Sequence, residues 1–336
     1  MILLKSLTVG ASRTRLFTAF LDVLERVDRA APDLLRVLTY HRVEREDAEP
    51  APSPAMTIRP EAFAEQMRYL HRVYRVVSAP EVLQAVRGRS SLPPRSLLLT
   101  FDDAYRDFAR HAWPVLRELG LPVTMFVPTA FPGSADGVFW WDRLHHALKN
   151  TSRRSPLTGP MGVLPLRTSR ERTQALLRLQ THVKALPHSQ AMPFVAAICE
   201  ALGISPPPPQ ILDWDELRQL GREGVSMGSH TRTHPLLTRI PEEEARAEVA
   251  GAWLDLQREI PGALPILAYP AGAFDERVVR IVKEEGYALA FTTARGLNHL
   301  SRAHPLTLSR INVGPRSTLG LLRAQLLGQS AGLLPA

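Results

Sequence analysis

Leu97-Leu98-Leu99-Thr100-Phe101-Asp102-Asp103 is a run of apolar and β-forming residues that ends directly in two carboxylates. An unbroken apolar run, without polar alternation, is the mark of a strand buried on both faces, as strands of a parallel sheet are. Two acids at the mouth of such a strand are costly unless something positive neutralises them. A divalent cation would do so and leave one carboxylate free as a base. Taken alone, adjacent acids at a strand end also read as ordinary solvated turn formers.

Other stretches carry a similar signature: Leu34–Tyr40, Val123–Val127, Val225–Ser229, Ile266–Tyr269, Leu289–Thr292 and Leu308–Val313. Helical periodicity lies between them, at Glu61–Val73, Pro80–Val86, Phe108–Leu119, Trp214–Glu223, Pro241–Glu259 and Asp275–Glu285. Pro60-Glu61 and Pro241 with Glu242, Glu243 and Glu244 are helix starts, the acids facing the positive end of the helix dipole. Gly120, Gly224 and Gly286 stand where helix C-caps are wanted. Strand–helix alternation repeated about seven times predicts an α/β fold, a distorted (β/α) barrel of parallel strands, whose chemistry gathers at the C-terminal strand ends.

Gly228-Ser229-His230-Thr231-Arg232-Thr233-His234-Pro235 also follows a short strand directly. Two histidines four apart can aim imidazole nitrogens at one centre, and Pro235 stiffens the backbone beside them. Joined with the aspartate pair they make a two-histidine, one-carboxylate set with positions left for water and substrate. A third strand ends in Leu267-Ala268-Tyr269-Pro270-Ala271-Gly272, a turn whose backbone N–H groups could face an oxyanion.

Thr100-Phe101-Asp102-Asp103, His230-Thr231-x-x-His234-Pro235 and Tyr269-Pro270-x-Gly272, in this order, resemble the successive motifs of NodB-type polysaccharide deacetylases, carbohydrate esterase family 4. Trp214-Asp215-Glu216-Leu217, Leu38-Thr39-Tyr40-His41-Arg42 and Ser309-Arg310-Ile311-Asn312-Val313 fit the same pattern, so the resemblance runs from about Leu34 to Val313 outside the stretch 140–213. It implies hydrolysis of an N-acetyl group, or less often an O-acetyl group, on a sugar. It also implies that Asp103, His230 and His234 bind Zn²⁺, Co²⁺ or a similar divalent ion, and that Asp102 is the base. The backbone N–H of Ala271 would then meet the oxyanion, with Tyr269, Trp140 and Trp141 as candidate substrate contacts.

Three positions depart from the family pattern. Ala104 stands where a glycine commonly ends the first motif, and Ala271 where a tyrosine follows the motif proline. Ala268 replaces the arginine that braces the catalytic aspartate. A terminal Leu-x-His, source of the general acid in the family, is not evident, which leaves His41, His299 and His304 as candidates.

The resulting division is an N-terminal amphipathic helix within 1–33, a barrel over 34–139 and 214–316, a helical insertion at 140–213, and a C-terminal helix and tail at 317–336. The insertion shows helical patches but no convincing strand, a loop rich in Ser, Pro and Gly at Thr151–Arg167, and a stiff exit at Pro206–Pro209. Phe139-Trp140-Trp141 at its start reads either as a sugar platform or as an anchor onto the barrel. His145 and His146 face different ways on a helix, and His71, His111, His182 and His188 read as surface or packing residues.

Composition excludes little but points away from nucleic acid. The formal charge is +8, yet only Lys5, Lys149, Lys184 and Lys283 are lysines, and the arginines are dispersed among acids rather than gathered in an arm. Cys199 is the only cysteine, so neither an intramolecular disulfide nor a cysteine zinc site can form. Leu16, Phe17, Phe20, Leu21, Leu24 and Val27 recur at helical spacing with charges between them. That helix is expected to pack on the domain or to touch a membrane surface. With no clear export signal and no spanning segment, a bacterial cytoplasmic or inner-membrane-associated enzyme is expected, acting on an N-acetylated carbohydrate. Hydrolysis of a small cyclic amide on the same barrel, or sugar binding without turnover, are the alternatives.

Overall fold

The computed structural model describes residues 15–27, 33–53, 55–134 and 137–327. Its strands are β1 (Leu34–Tyr40), β2 (Arg42–Val43), β3 (Thr57–Ile58), β4 (Arg75–Val77), β5 (Ser96–Asp102), β6 (Thr124–Val127), β7 (Leu157–Gly159), β8 (Gly162–Leu164), β9 (Ser226–Ser229), β10 (Ile266–Ala268), β11 (Leu289–Phe291), β12 (Asn298–His299) and β13 (Ile311–Asn312). The main sheet runs β11-β10-β9-β6-β5-β1, every neighbouring pair in that path parallel. β4 joins the start of β5, and β13 runs parallel along the other side of β1.

Burial explains why these strands read as continuous apolar runs. All seven residues of β1 and of β5 are buried. Alternate side chains go to different cores, as a period of two requires. Leu35, Val37, Leu98, Phe126, Ile266 and Leu289 form one cluster with Phe291 and Leu308. Leu38, Leu97, Leu99, Met125 and Met227 pack the other way, against Phe63, Met67, Leu116, Leu217 and Leu256 of the covering helices. Helix entries are fixed locally: Ser78 with Glu81, Thr168 with Glu171 and Asp213 with Glu216 each close a reciprocal capping box.

The segment Leu308–Val313 makes the sheet a barrel. Leu308 exchanges backbone hydrogen bonds with Ala290 and Thr292 beside β11, and Val313 N then donates to Thr39 O on β1. The sequence suggests one strand here, but only Ile311–Asn312 is regular, because the chain changes partner midway and bridges the two ends of the sheet. The structure is thus the expected distorted (β/α) barrel, with the ends of β5, β9 and β10 on one face.

Two other expectations are corrected. The helix expected over Phe108–Leu119 begins as a wider turn, Phe108–Ala112, before the regular helix Trp113–Glu118, with Trp113 N bonded to Phe108 O. Pro114 has no N–H to give, and the extra residue absorbs the missing bond. Within 140–213 a hairpin, β7–β8, pairs Leu157 with Leu164 around Gly159 and Gly162. Only Leu157 and Leu164 of it are buried, too few to leave an alternating signal. Helices Trp140–Asn150, Ser169–Ala185 and His188–Ala201 complete the segment. They share a core of their own around Leu144, Leu148, Leu179, Val183 and Val195.

Helix Arg15–Val27 buries Leu21 and packs on helix Leu319–Leu327, where Arg323 pairs with Asp22 and Glu25. Phe20 and Val23 remain exposed. The rest of the N-terminal stretch (1–14 and 28–32) and the tail 328–336 lie outside the described residues. No helix among the described residues is long and apolar enough to cross a membrane.

Candidate active site

Asp102 is the last residue of β5, and the chain turns abruptly after it: Asp103 and Ala104 have φ of 75° and 53°. Ala104 therefore occupies the left-handed region in which glycine is free of strain, at a cost of about 1–2 kcal/mol for the alanine. It is buried, and its carbonyl accepts from Leu212 N at 2.9 Å. The turn swings Asp103 toward the loop that follows β9, which carries His230 and His234.

That loop is held from several sides. His230 N donates to Val127 O, Thr129 N to Thr231 O and Ala130 N to Arg232 O. Glu248, on helix Glu242–Glu259, accepts from Arg232 N and Thr233 N at 2.8 Å each and from Thr233 Oγ1 at 2.6 Å. Thr231 and His234 have positive φ, so the loop stores backbone strain that these bonds offset. Glu248→Ala is expected to weaken divalent-ion affinity about 10–100-fold, the usual effect of losing a group that orients metal ligands. Competition with a zinc-chelating dye measures it; an unchanged affinity would mean that the loop keeps its shape without Glu248.

His230 donates Nδ1–H to Ala268 O at 2.7 Å, which leaves Nε2 as the bare nitrogen. Nε2 lies 3.5 Å from Asp103 Oδ1 and 3.2 Å from His234 Nε2, and His234 Nε2 is 3.5 Å from the same Oδ1. Asp103 Oδ1 is buried and has no hydrogen-bond partner. A tetrahedral ion with bonds of about 2.0–2.1 Å separates its donor atoms by about 3.4 Å. Three donors at that spacing, one of them an orphaned carboxylate oxygen, fit a divalent cation.

The electrostatics agree. Burial alone would raise the Asp102 carboxyl, but the Arg310 guanidinium, with His230 and His41, outweighs it and holds Asp102 well below the carboxylate range. Asp103 is pushed well above that range, first by burial and then by the charges of Asp102 and Asp142. One guanidinium thus serves two buried carboxylates, and a cation at Asp103 would supply the missing charge. Burial lowers both His230 and His234, the latter further because His230 is beside it, so both imidazoles are neutral and fit to ligate.

Arg310 is the residue that sequence reasoning missed. Its Nη1 and Nη2 reach Asp102 Oδ1 and Oδ2 at 2.8 Å each, a two-pronged clamp from a fully buried side chain, while Nε donates to Thr292 O. The brace was sought at position 268, where alanine stands. It comes instead from the bridging segment, and the signal was an arginine inside a strand-like stretch, Leu308-Ser309-Arg310-Ile311.

The candidate acids separate cleanly. His41 follows β1 on the catalytic face, its Nε2 3.9 Å from Asp102 Oδ2. His299 pairs with Leu34 at the other end of β1, about 20 Å away by strand rise. His304 accepts from Leu306 N, and neither it nor His299 lines the cavity that opens on Asp102. Tyr269 is not placed to touch substrate: it is fully buried, donates to Leu306 O at 2.9 Å and stacks on Phe274. Ala271, with φ 51°, lines the cavity, and its N–H takes no part in the turn's own bonds, which run from Gly272 N to Tyr269 O and from Ala273 N to Pro270 O.

Trp140 and Trp141 also line the cavity. Trp141 stacks on Phe139 and meets His234 edge-on, 5.0 Å between centroids. Behind it, Trp141 Nε1 donates to Tyr105 Oη, Tyr105 donates to Asp142, and Arg42 lies over the Tyr105 ring while bonded to Asp107. This network ties the His41 loop, the Asp103 turn and the insertion into one wall. His188, read from sequence as a surface or packing residue, lines the cavity too.

The polysaccharide deacetylase family model matches residues 89–290, more than half of the chain. Over 86 residues the chain is 34% identical to the poly-beta-1,6-N-acetyl-D-glucosamine N-deacetylase of Escherichia coli K12; the match covers 25% of this chain and only 12% of that protein. Among solved structures, the Streptococcus pyogenes deacetylase PplD superposes with a TM-score of 0.59 at 18% identity, over 88% of this chain and 99% of that one. IcaB from Ammonifex degensii does so with 0.58 at 21% identity, over 88% and 97%. At these identities the two structures speak to the fold.

Proposed function

The chain belongs to the polysaccharide deacetylase family, and on that premise we propose that it is a metal-dependent hydrolase that removes acetyl groups, N-acetyl above all, from a saccharide. The observation that carries the proposal is the meeting of Asp103, His230 and His234, within 4.8 Å of one another, beside an aspartate clamped by Arg310.

A divalent ion such as Zn²⁺ or Co²⁺, held by Asp103, His230 and His234, would polarise the acetyl carbonyl and make its bound water acidic. Asp102, fixed in direction by Arg310, takes a proton from the attacking water. Water oxygen bonds to the acetyl carbon, the C–N bond breaks, and the amine needs a proton to leave. His41 is the group that delivers it, since its ring is 3.9 Å from Asp102 and on the cavity wall. Burial pushes His41 down to about 4, the Asp102 charge opposing, so it rests neutral and can pass on the proton that Asp102 takes up. The Ala271 N–H is the backbone donor for the tetrahedral oxygen. Products are acetate and a free amine.

Arg310 beside Asp102 as a brace, and His41 on the cavity wall as an acid, support turnover over a sugar-binding barrel without it. The direct test is to quantify acetate and new primary amine together from N-acetylhexosamine oligosaccharides and sugar-lipids. One amine per acetate is expected. Acetate without amine would make the protein an O-esterase, and silence on every saccharide with ring opening of a cyclic amide would move it to small-amide hydrolysis.

A further inference from the structure

The cavity that reaches the catalytic residues has a volume of about 510 Å³, and much of its lining has no evident use in holding a bare glycan chain. One wall is built by helices Ser169–Ala185 and His188–Ala201 and the junction between them, which contribute Val183, Leu186, Ala191, Met192, Val195 and Ala196. Sugar hydroxyls need acceptors and donors, whereas this wall is mostly hydrocarbon, with Gln180, Lys184 and His188 its polar members. Among the described lining residues the only acids are Asp102 and Asp103, and the neutral polar side chains besides histidine and tryptophan are Ser53, Gln180, Thr233 and Thr293.

The charges that remain are all positive. Arg143, Lys184 and Arg239 line the same cavity, and Lys184 and Arg239 are exposed. Each comes from a different element: Arg143 from helix Trp140–Asn150, Lys184 from the apolar wall, and Arg239 from the turn after the histidine loop. The cavity therefore offers, in continuity, a centre for an acetamido group, cations for an anion, and an apolar surface. These are the parts of an anionic amphiphile.

Resting on the deacetylase reading above, we infer that the substrate is an N-acetylated sugar joined through a phosphate to a hydrocarbon chain. The sugar lies at Asp102 and His41, the phosphate meets the cations, and the chain lies along the wall of Val183, Met192 and Val195. Apolar burial favours such a chain by a few-fold for every methylene it covers. Trp140, half-buried at the junction of barrel and insertion, covers the sugar end.

The test compares three soluble probes below their micellar concentrations: N-acetylglucosamine 1-phosphate carrying a 15-carbon isoprenoid ester, the same sugar phosphate as its methyl ester, and a neutral N-acetylglucosamine tetramer. The expected result is a kcat/KM for the isoprenoid probe at least about 100-fold above that for the methyl ester. Met192→Gln and Ala196→Trp, at a half-buried and an exposed position of the wall, are expected to erase that preference and leave methyl-ester turnover unchanged, which also shows that both variants fold. Lys184→Gln combined with Arg239→Gln is expected to slow both phosphate probes and spare the tetramer. Equal turnover of isoprenoid and methyl probes, or a preference for the tetramer, overturns the inference and leaves the deacetylase reading standing. So does faster release of a dodecanoyl than of an acetyl group from glucosamine, which would assign the wall to the acyl chain. Absence of amine from all probes instead sinks the deacetylase reading itself.

Discussion

Asp102→Asn is expected to lower kcat for deacetylation about 10²–10⁴-fold, the range for losing a positioned general base. The ion should still bind, because Asp103, His230 and His234 are untouched. The substitution also leaves the buried Arg310 charge without its counter-ion, and removing one partner of a buried pair typically costs about 3–5 kcal/mol of stability. Loss of activity must therefore be read beside circular dichroism and ion binding on the same sample. A folded, ion-loaded variant that keeps wild-type turnover would remove Asp102 from the chemistry.

Arg310→Met should act on the same carboxylate from the other side. Without the guanidinium, burial is the dominant influence on Asp102 and its pKa moves up. The sign for stability follows. A carboxylate depressed in the folded state stabilises the protein above its unfolded pKa of about 3.9, and that stabilisation is lost as pH falls through the lower, folded value. The methionine variant loses it at neutral pH as well, about 3–5 kcal/mol read as a drop in thermal midpoint. Its rate profile should show an acidic limb displaced to higher pH, because the base is protonated sooner. Arg310→Lys keeps the charge but cannot make two parallel bonds, so it should fall between the two. An unmoved acidic limb in Arg310→Met would mean that Asp102 is not the group that titrates.

Much of this was legible in the sequence because the strands bury both faces. Ser96–Asp102 and Leu34–Tyr40 show their type in unbroken apolar runs, and the residues at their ends fall on the catalytic face by topology alone. Asp103 and His230 could be paired across the chain because each follows its strand without a linker, and His234 because it stands four residues after His230. Arg310 escaped because a brace is defined by what it touches, and its contact spans 208 residues and depends on the partner change in Leu308–Val313. His41 and His299 could not be ranked without knowing which end of β1 each occupies, nor His304 without knowing that it lies off the cavity. Tyr269 misled because a tyrosine in a motif turn looks available, while its hydroxyl is spent on Leu306 O inside the core. The short strands β2, β3 and β12, two residues each, leave no periodicity to read.

If Asp103, His230 and His234 hold the ion on which deacetylation depends, ion binding and turnover must rise together in a single titration. Chelator-stripped protein is titrated with Co²⁺ while visible absorption and acetate release are followed on the same sample, with Asp103→Ala in parallel. One ion per chain is expected, with activity rising in step with the cobalt spectrum, and loss of both in the variant. Full deacetylation by stripped protein whose residual metal is far below one per chain would contradict it.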